Sequence, residues 1–115
     1  MSGIMNLEPL HSITDGDTEY ELDLISNLVA DCDELMGELI QAFEAQDLEK
    51  FGSLAHKFKG SLLYVAGEPM ASYVAALDKE ARRENKFPSK ETFEQIQKDF
   101  NELKDALNEY MDELE

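Results

Sequence analysis

A chain of 115 residues with 43% hydrophobic content is the size of one ordinary domain and can close a core without a disulfide or a metal staple. Its 26 acidic and 10 basic side chains give a formal net charge of −16, a surface that repels phosphate backbones and anionic lipid and so argues against direct nucleic-acid or membrane binding. No run approaches the roughly 20 apolar residues of a membrane span, the first ten residues carry no basic leader, and the single cysteine, Cys32, has no partner for an internal bridge, so a soluble, free-standing, cytoplasmic protein is expected.

The chain lacks tryptophan, holds only three prolines and six glycines, and is filled with Leu, Ala, Glu, Lys and Gln, which predicts an all-α fold. "LEPLHSI" begins it with a short helix, about residues 4–13, stopped at the turn residues of "TDGD". Thr18 and Glu21 are spaced as a capping box, and Ile25, Leu28, Cys32, Leu35, Leu39 and Phe43 follow at steps of three and four, predicting a long helix over about 18–45. Cys32 falls on that stripe and reads as a small core residue.

Asp47 can cap a second long helix, 47–66, in which Leu48, Phe51, Ala55, Phe58, Leu62 and Val65 keep the same spacing until Gly67. Pro69 suits the first turn of a third, 69–85, with Met70, Tyr73, Leu77 and Ala81 inward. Ser89 opens a fourth, 89–113, whose Phe93, Ile96, Phe100, Leu103, Leu107 and Tyr110 alternate steps of three and four. Four amphipathic helices with short connections predict an up-down four-helix bundle capped by the short N-terminal helix.

The second long helix carries an anomaly. It contains "HKFKGS" and glycines at 52 and 60, although each helical glycine costs roughly 0.8–1 kcal/mol relative to alanine. At about 100° per residue, the apolar stripe of Phe51, Ala55, Phe58 and Leu62 lies roughly 120° from His56. Within about 60° of His56 fall Glu49, Gly52, Ser53, Lys59, Gly60, Leu63 and Gly67. Glycines around one outward histidine remove bulk and let another protein approach the imidazole. An unperturbed imidazole, with a pKa of about 6.5, is mostly neutral at pH 7 and offers a nitrogen lone pair. Lys59, one turn on, can balance negative charge placed on that nitrogen. A neutral nitrogen nucleophile with open space before it and a cation beside it suits a phosphoryl acceptor.

His56-Lys57-Phe58-Lys59-Gly60-Ser61 resembles the motif of the histidine-containing phosphotransfer (HPt) domain of multistep two-component signalling: a His, a Lys three residues on, and a Gly directly after it. The resemblance extends over essentially the whole chain. Where that family usually has a later glycine ten residues after the histidine, this chain has Ala66, with Gly67 next. The resemblance implies that His56 accepts a phosphoryl group from a receiver-domain aspartyl phosphate and passes it to another receiver, or back. It implies that Lys59 balances the phosphoryl charge and that Gly60 makes room for the receiver, with Gly52, Ser53, Leu63 and Gly67 on the docking face. The partners implied are response-regulator receiver domains and a hybrid sensor histidine kinase. Having no Walker motif or phosphate-cradling loop, the chain is expected to be a carrier and not an enzyme, with no cofactor of its own and Mg²⁺ supplied on the receiver.

Two other functional classes bear on the same sequence. Glu8-x-x-His11 matches half of a ferritin-like metal site, but such a site needs a second Glu-x-x-His, and His56 has Ser53 at the matching position, so no metal site is expected and His11 is left without a role. The rival class is an acidic adaptor, or a nucleic-acid mimic built on the first half, where thirteen acidic residues precede Lys50, the first Lys or Arg. One bundle can bury its own apolar stripes, so a monomer is expected.

Overall fold

The computed structural model describes residues 4–115, and among them five helices form, with no strand. These are α1 (Glu8–Thr14), α2 (Thr18–Glu44), α3 (Leu48–Leu62), α4 (Met70–Arg82) and α5 (Lys90–Leu114). Helices α2 to α5 run up and down as an elongated bundle of 41 × 22 × 20 Å, and α1 packs on α2. Around the bundle α2 touches α3, α3 touches α4, α4 touches α5, and α5 returns to α2.

The starts of the helices are chemical. The Asp47 carboxylate accepts from the Lys50 amide at 3.2 Å and the Ser89 hydroxyl from the Thr92 amide at 3.1 Å, as predicted. Helix α2 departs from expectation. Its cap is Asp17, which accepts from the Tyr20 amide at 3.0 Å, and Glu21 is drawn into the protein instead of closing a capping box with Thr18. Before it, Asp15 and Gly16 take positive φ values of 49° and 86°, the sharp reversal read from "TDGD".

The core is a single cluster of aliphatic and phenylalanine side chains. Phe58, fully buried, meets Phe100 edge-on across the bundle at 5.4 Å between ring centroids. At the other end Phe43 and Phe51 meet each other, and each meets both Phe87 and Phe93. Each such ring stabilises the fold by roughly 1.5–3 kcal/mol of burial, and the Phe51, Ala55, Phe58 and Leu62 stripe fixes how α3 is rotated. Cys32 is buried as expected, and burial with the neighbouring Asp31 and Asp33 charges pushes its thiol up to about 12.

Three boundaries differ from those read in the sequence. Helix α3 ends at Leu62, and Leu63–Gly67 form a turn held by the N-terminal segment, with Asn6 N–H donating to Val65 C=O at 2.9 Å and Gly67 N–H to Ile4 C=O at 2.9 Å. Residues 4–7 are therefore non-helical, bridged to Ala66 through Met5, and not the first turn of the short helix. Helix α4 ends at Arg82, three residues early, with Pro69 as its N-cap. His11 also has partners. Its Nε2 lies 3.2 Å from the buried Glu21 carboxylate and 3.2 Å from the Tyr110 hydroxyl, which itself donates to Glu21, so α1, α2 and α5 are tied at one end. No helix among the described residues is long and apolar enough to cross a membrane.

Candidate functional site

His56 projects from the middle of α3, with its side chain 54% exposed. The core stripe on the opposite side of the helix forces this orientation. Lys59 follows at i+3 on the same side, 30% exposed. The next residue, Gly60, is open: a Cβ built there would meet nothing within 4 Å. Leu63, 40% exposed at the C-cap, and Tyr64 continue the surface, and Ser53 lies exposed one turn before the histidine. A shallow groove between α2 and α3 runs past Asp31, Glu34, Lys57, Gly60 and Tyr64.

The second flank of His56 is closed by α4. Gly52, expected on the open face, is buried there. A Cβ on it would lie 3.2 Å from Arg82 Cγ and 3.7 Å from the Ala81 backbone, so its bareness serves helix–helix packing and not docking. The reason is that α3 packs against both α2 and α4, which buries a wider arc than its apolar stripe marks. Gly67 lies beyond α3, which has ended five residues earlier, so the helical-wheel position that set it beside His56 does not apply.

Helix α4 brings two side chains to the ring that the sequence did not single out. Arg82 Nη1 lies 2.8 Å from His56 Nδ1 and donates to it. Asp78, only 8% exposed, places Oδ1 3.4 Å from the same Nδ1 and pairs through Oδ2 with Lys59 Nζ at 3.0 Å. Arg82 Nη1 is 3.6 Å from Asp78 Oδ1. Burial pushes the Asp78 carboxyl up, but the polar groups facing it, Lys59 foremost through its hydrogen bond and charge, hold the group below its ordinary 3.8. Both ring contacts occupy Nδ1, so Nε2 is the nitrogen that faces outward. One local signal was available: Asp78 and Arg82 form an i, i+4 acid–base pair. Its register against α3 was not readable.

The structure thus places an outward histidine beside a lysine on a helix bared by Gly60. The Hpt domain family model matches residues 23–115. The chain belongs to the Hpt-domain family. Its Hpt fold is found again in histidine-containing phosphotransfer protein B (HptB) from Pseudomonas aeruginosa PAO1, with a TM-score of 0.84, 98% of each chain covered and 21% identity. In sequence the Hpt chain is 21% identical over 101 residues to the phosphorelay intermediate protein rdeA of Dictyostelium discoideum, 88% of this chain and 40% of that protein's length. Among the described residues of this Hpt domain, no three His, Cys, Asp or Glu side chains come together to hold a metal ion. Glu8 and His11 are no exception, since the partners of His11 are Glu21 and Tyr110.

Proposed function

We propose that this Hpt domain is a phosphorelay carrier in which His56 Nε2 takes a phosphoryl group from an aspartyl phosphate on one receiver domain and yields it to another. The observation that carries this reading is the orientation of the ring, with Nδ1 turned to α4 and Nε2 outward on a half-exposed side chain. Phosphoryl transfer is largely positioning and charge stabilisation. This chain supplies the nucleophile and a nearby lysine; the receiver supplies the acidic pocket and its Mg²⁺. The domain is therefore a carrier that acts only with its partner.

A receiver would dock over the α2–α3 side. Gly60 admits its backbone, and Leu63 and Tyr64 offer apolar contact of the sort that anchors small interfaces. Asp31 and Glu34 line the same groove, which suits a basic rim on the partner. A hybrid sensor kinase upstream, a response regulator downstream, a monomeric state and a cytoplasmic setting complete the proposal.

The test is to incubate the protein with a phosphorylated receiver and Mg²⁺ and follow intact mass and acid lability, with His56→Gln in parallel. The expected result is an acid-labile gain of one phosphoryl group that the variant lacks while still folding and binding the receiver. Receiver binding without any transfer of label, in wild type and variant alike, would instead make the protein an adaptor.

A further inference from the structure

Two groups with opposite hydrogen-bonding needs face one ring nitrogen. Arg82 only donates, and a guanidinium keeps its protons in proteins, so its 2.8 Å bond requires a bare Nδ1. The Asp78 carboxylate only accepts, so the 3.4 Å approach of Oδ1 becomes a hydrogen bond only when Nδ1 carries a proton. The two bonds exclude each other. In this structure Arg82 has the nitrogen, and Asp78 Oδ1 is buried without a hydrogen-bond partner. A neutral imidazole has one N–H, so with Nδ1 accepting from Arg82 the proton sits on Nε2. The outward nitrogen then has no lone pair with which to attack phosphorus.

We propose that Arg82 and Asp78 are positioning residues that hold His56 in its unreactive and reactive tautomers respectively, and that an incoming phosphoryl anion arms the ring by drawing Arg82 away. This rests on the phosphotransfer reading above. Asp78 is fixed, buried and paired with Lys59, whereas the Arg82 side chain is 49% exposed near the end of α4 and can swing. Guanidinium prefers the oxygens of a phosphoryl group, which it binds through two parallel N–H bonds, to a single ring nitrogen. Once it leaves, Nε2 gives its proton to water, Nδ1 takes one from water, and Nδ1–H closes on Asp78 Oδ1.

The transfer then balances. The Nε2 lone pair forms the N–P bond while the P–O bond to the donor carboxylate breaks, and that carboxylate departs with the electron pair. The ring keeps its Nδ1 proton and carries a positive charge that faces Asp78. Passing the phosphoryl group on reverses each step. The site thereby couples nucleophile to substrate: the ring is armed when phosphoryl oxygens are present to hold Arg82.

The experiment uses protein labelled with ¹⁵N in histidine, unphosphorylated, at about pH 9, where an unperturbed imidazole is neutral. Nitrogen–proton couplings report which nitrogen of His56 bears the proton. Wild type is expected to carry it on Nε2, and Arg82→Met, which keeps the aliphatic stem over Gly52 but cannot donate, to move it to Nδ1. Adding Asp78→Leu to Arg82→Met is expected to cancel that move. With a phosphorylated receiver as donor, Arg82→Met is expected to raise the half-saturating donor concentration about tenfold, and Asp78→Leu to lower the saturating rate about tenfold. Should Asp78→Leu not fold, as judged by its melting curve, Asp78→Ala, which also removes the acceptor, replaces it. A proton that stays on Nε2 in Arg82→Met overturns the proposal, as does an Arg82→Met effect confined to the saturating rate. A wild type that accepts no phosphoryl group removes the phosphotransfer reading itself, a result the tautomer measurement does not depend on.

Discussion

Replacing Gly60 by alanine isolates what the open surface beside His56 costs the fold. The position is helical, two residues before the end of α3, and an added methyl group touches nothing within 4 Å. The only terms left are backbone entropy and helix propensity, about 0.5–1 kcal/mol in favour of alanine. For a chain of this length 1 kcal/mol corresponds to about 4 °C of melting temperature, so a rise of about 2–4 °C is expected. Gly52→Ala in the same helix is the control. Its Cβ would press Arg82 Cγ at 3.2 Å and touch Ala81, so the same propensity gain is offset by a shift of the arginine. Thermal and urea unfolding followed by far-ultraviolet circular dichroism, for both variants at one pH, would decide. Gly60→Ala melting at or below wild type, or gaining no more than Gly52→Ala, would refute the argument that Gly60 is bare for the sake of a partner.

Further outcomes follow from the buried polar groups. Asp78→Ala leaves Lys59 without its ion-pair partner and should lower stability by about 1–3 kcal/mol at neutral pH. Because the folded Asp78 titrates below its ordinary 3.8, its contribution is complete above that value and disappears as pH falls through the lowered one; urea titrations at neutral and strongly acidic pH should show the two proteins converging. Cys32, with its thiol pushed up to about 12, should resist a thiol reagent in the native state and react promptly in denaturant; fast, stoichiometric labelling of folded protein would contradict its burial. Tyr110→Phe removes the hydroxyl that donates to buried Glu21 and should cost about 1–3 kcal/mol in urea unfolding, whereas an unchanged midpoint would mean that water replaces the bond.

How much of this was legible depends on how local each feature is. The periodicity of α5 and the caps at Asp47 and Ser89 depend only on neighbours in sequence, and the structure has all three. Thr18 is not the cap its spacing predicts, because Asp17 beside it is equally suited and because Glu21, three residues after Thr18, is committed to Tyr110 at the far end of the chain. The overlong α3 has a similar cause. Val65 keeps helical spacing, yet its backbone carbonyl serves Asn6, a partner 59 positions away that no local pattern reveals. Within the site, His56, Lys59 and Gly60 lie within five residues of one helix and were visible as a group. Asp78 and Arg82 were not, because their meeting with the ring depends on the register of α4 against α3. Gly52 was misplaced for the same reason, since a helical wheel shows direction and not what stands there.

The side chains in contact with the His56 ring come from α3 and α4, while α2 contributes only a neighbouring wall. The proposed site thus resides on a single antiparallel hairpin of helices, and the other long helices form a plinth beneath it, joined through the Phe58–Phe100 contact. Such a division separates two kinds of evolutionary freedom. The plinth can lengthen, exchange surface charges or acquire new attachments without disturbing the spacing between an imidazole, a carboxylate and two cations. The hairpin can retune that spacing by a single substitution at its inner seam, where Gly52 already lets the arginine lie close.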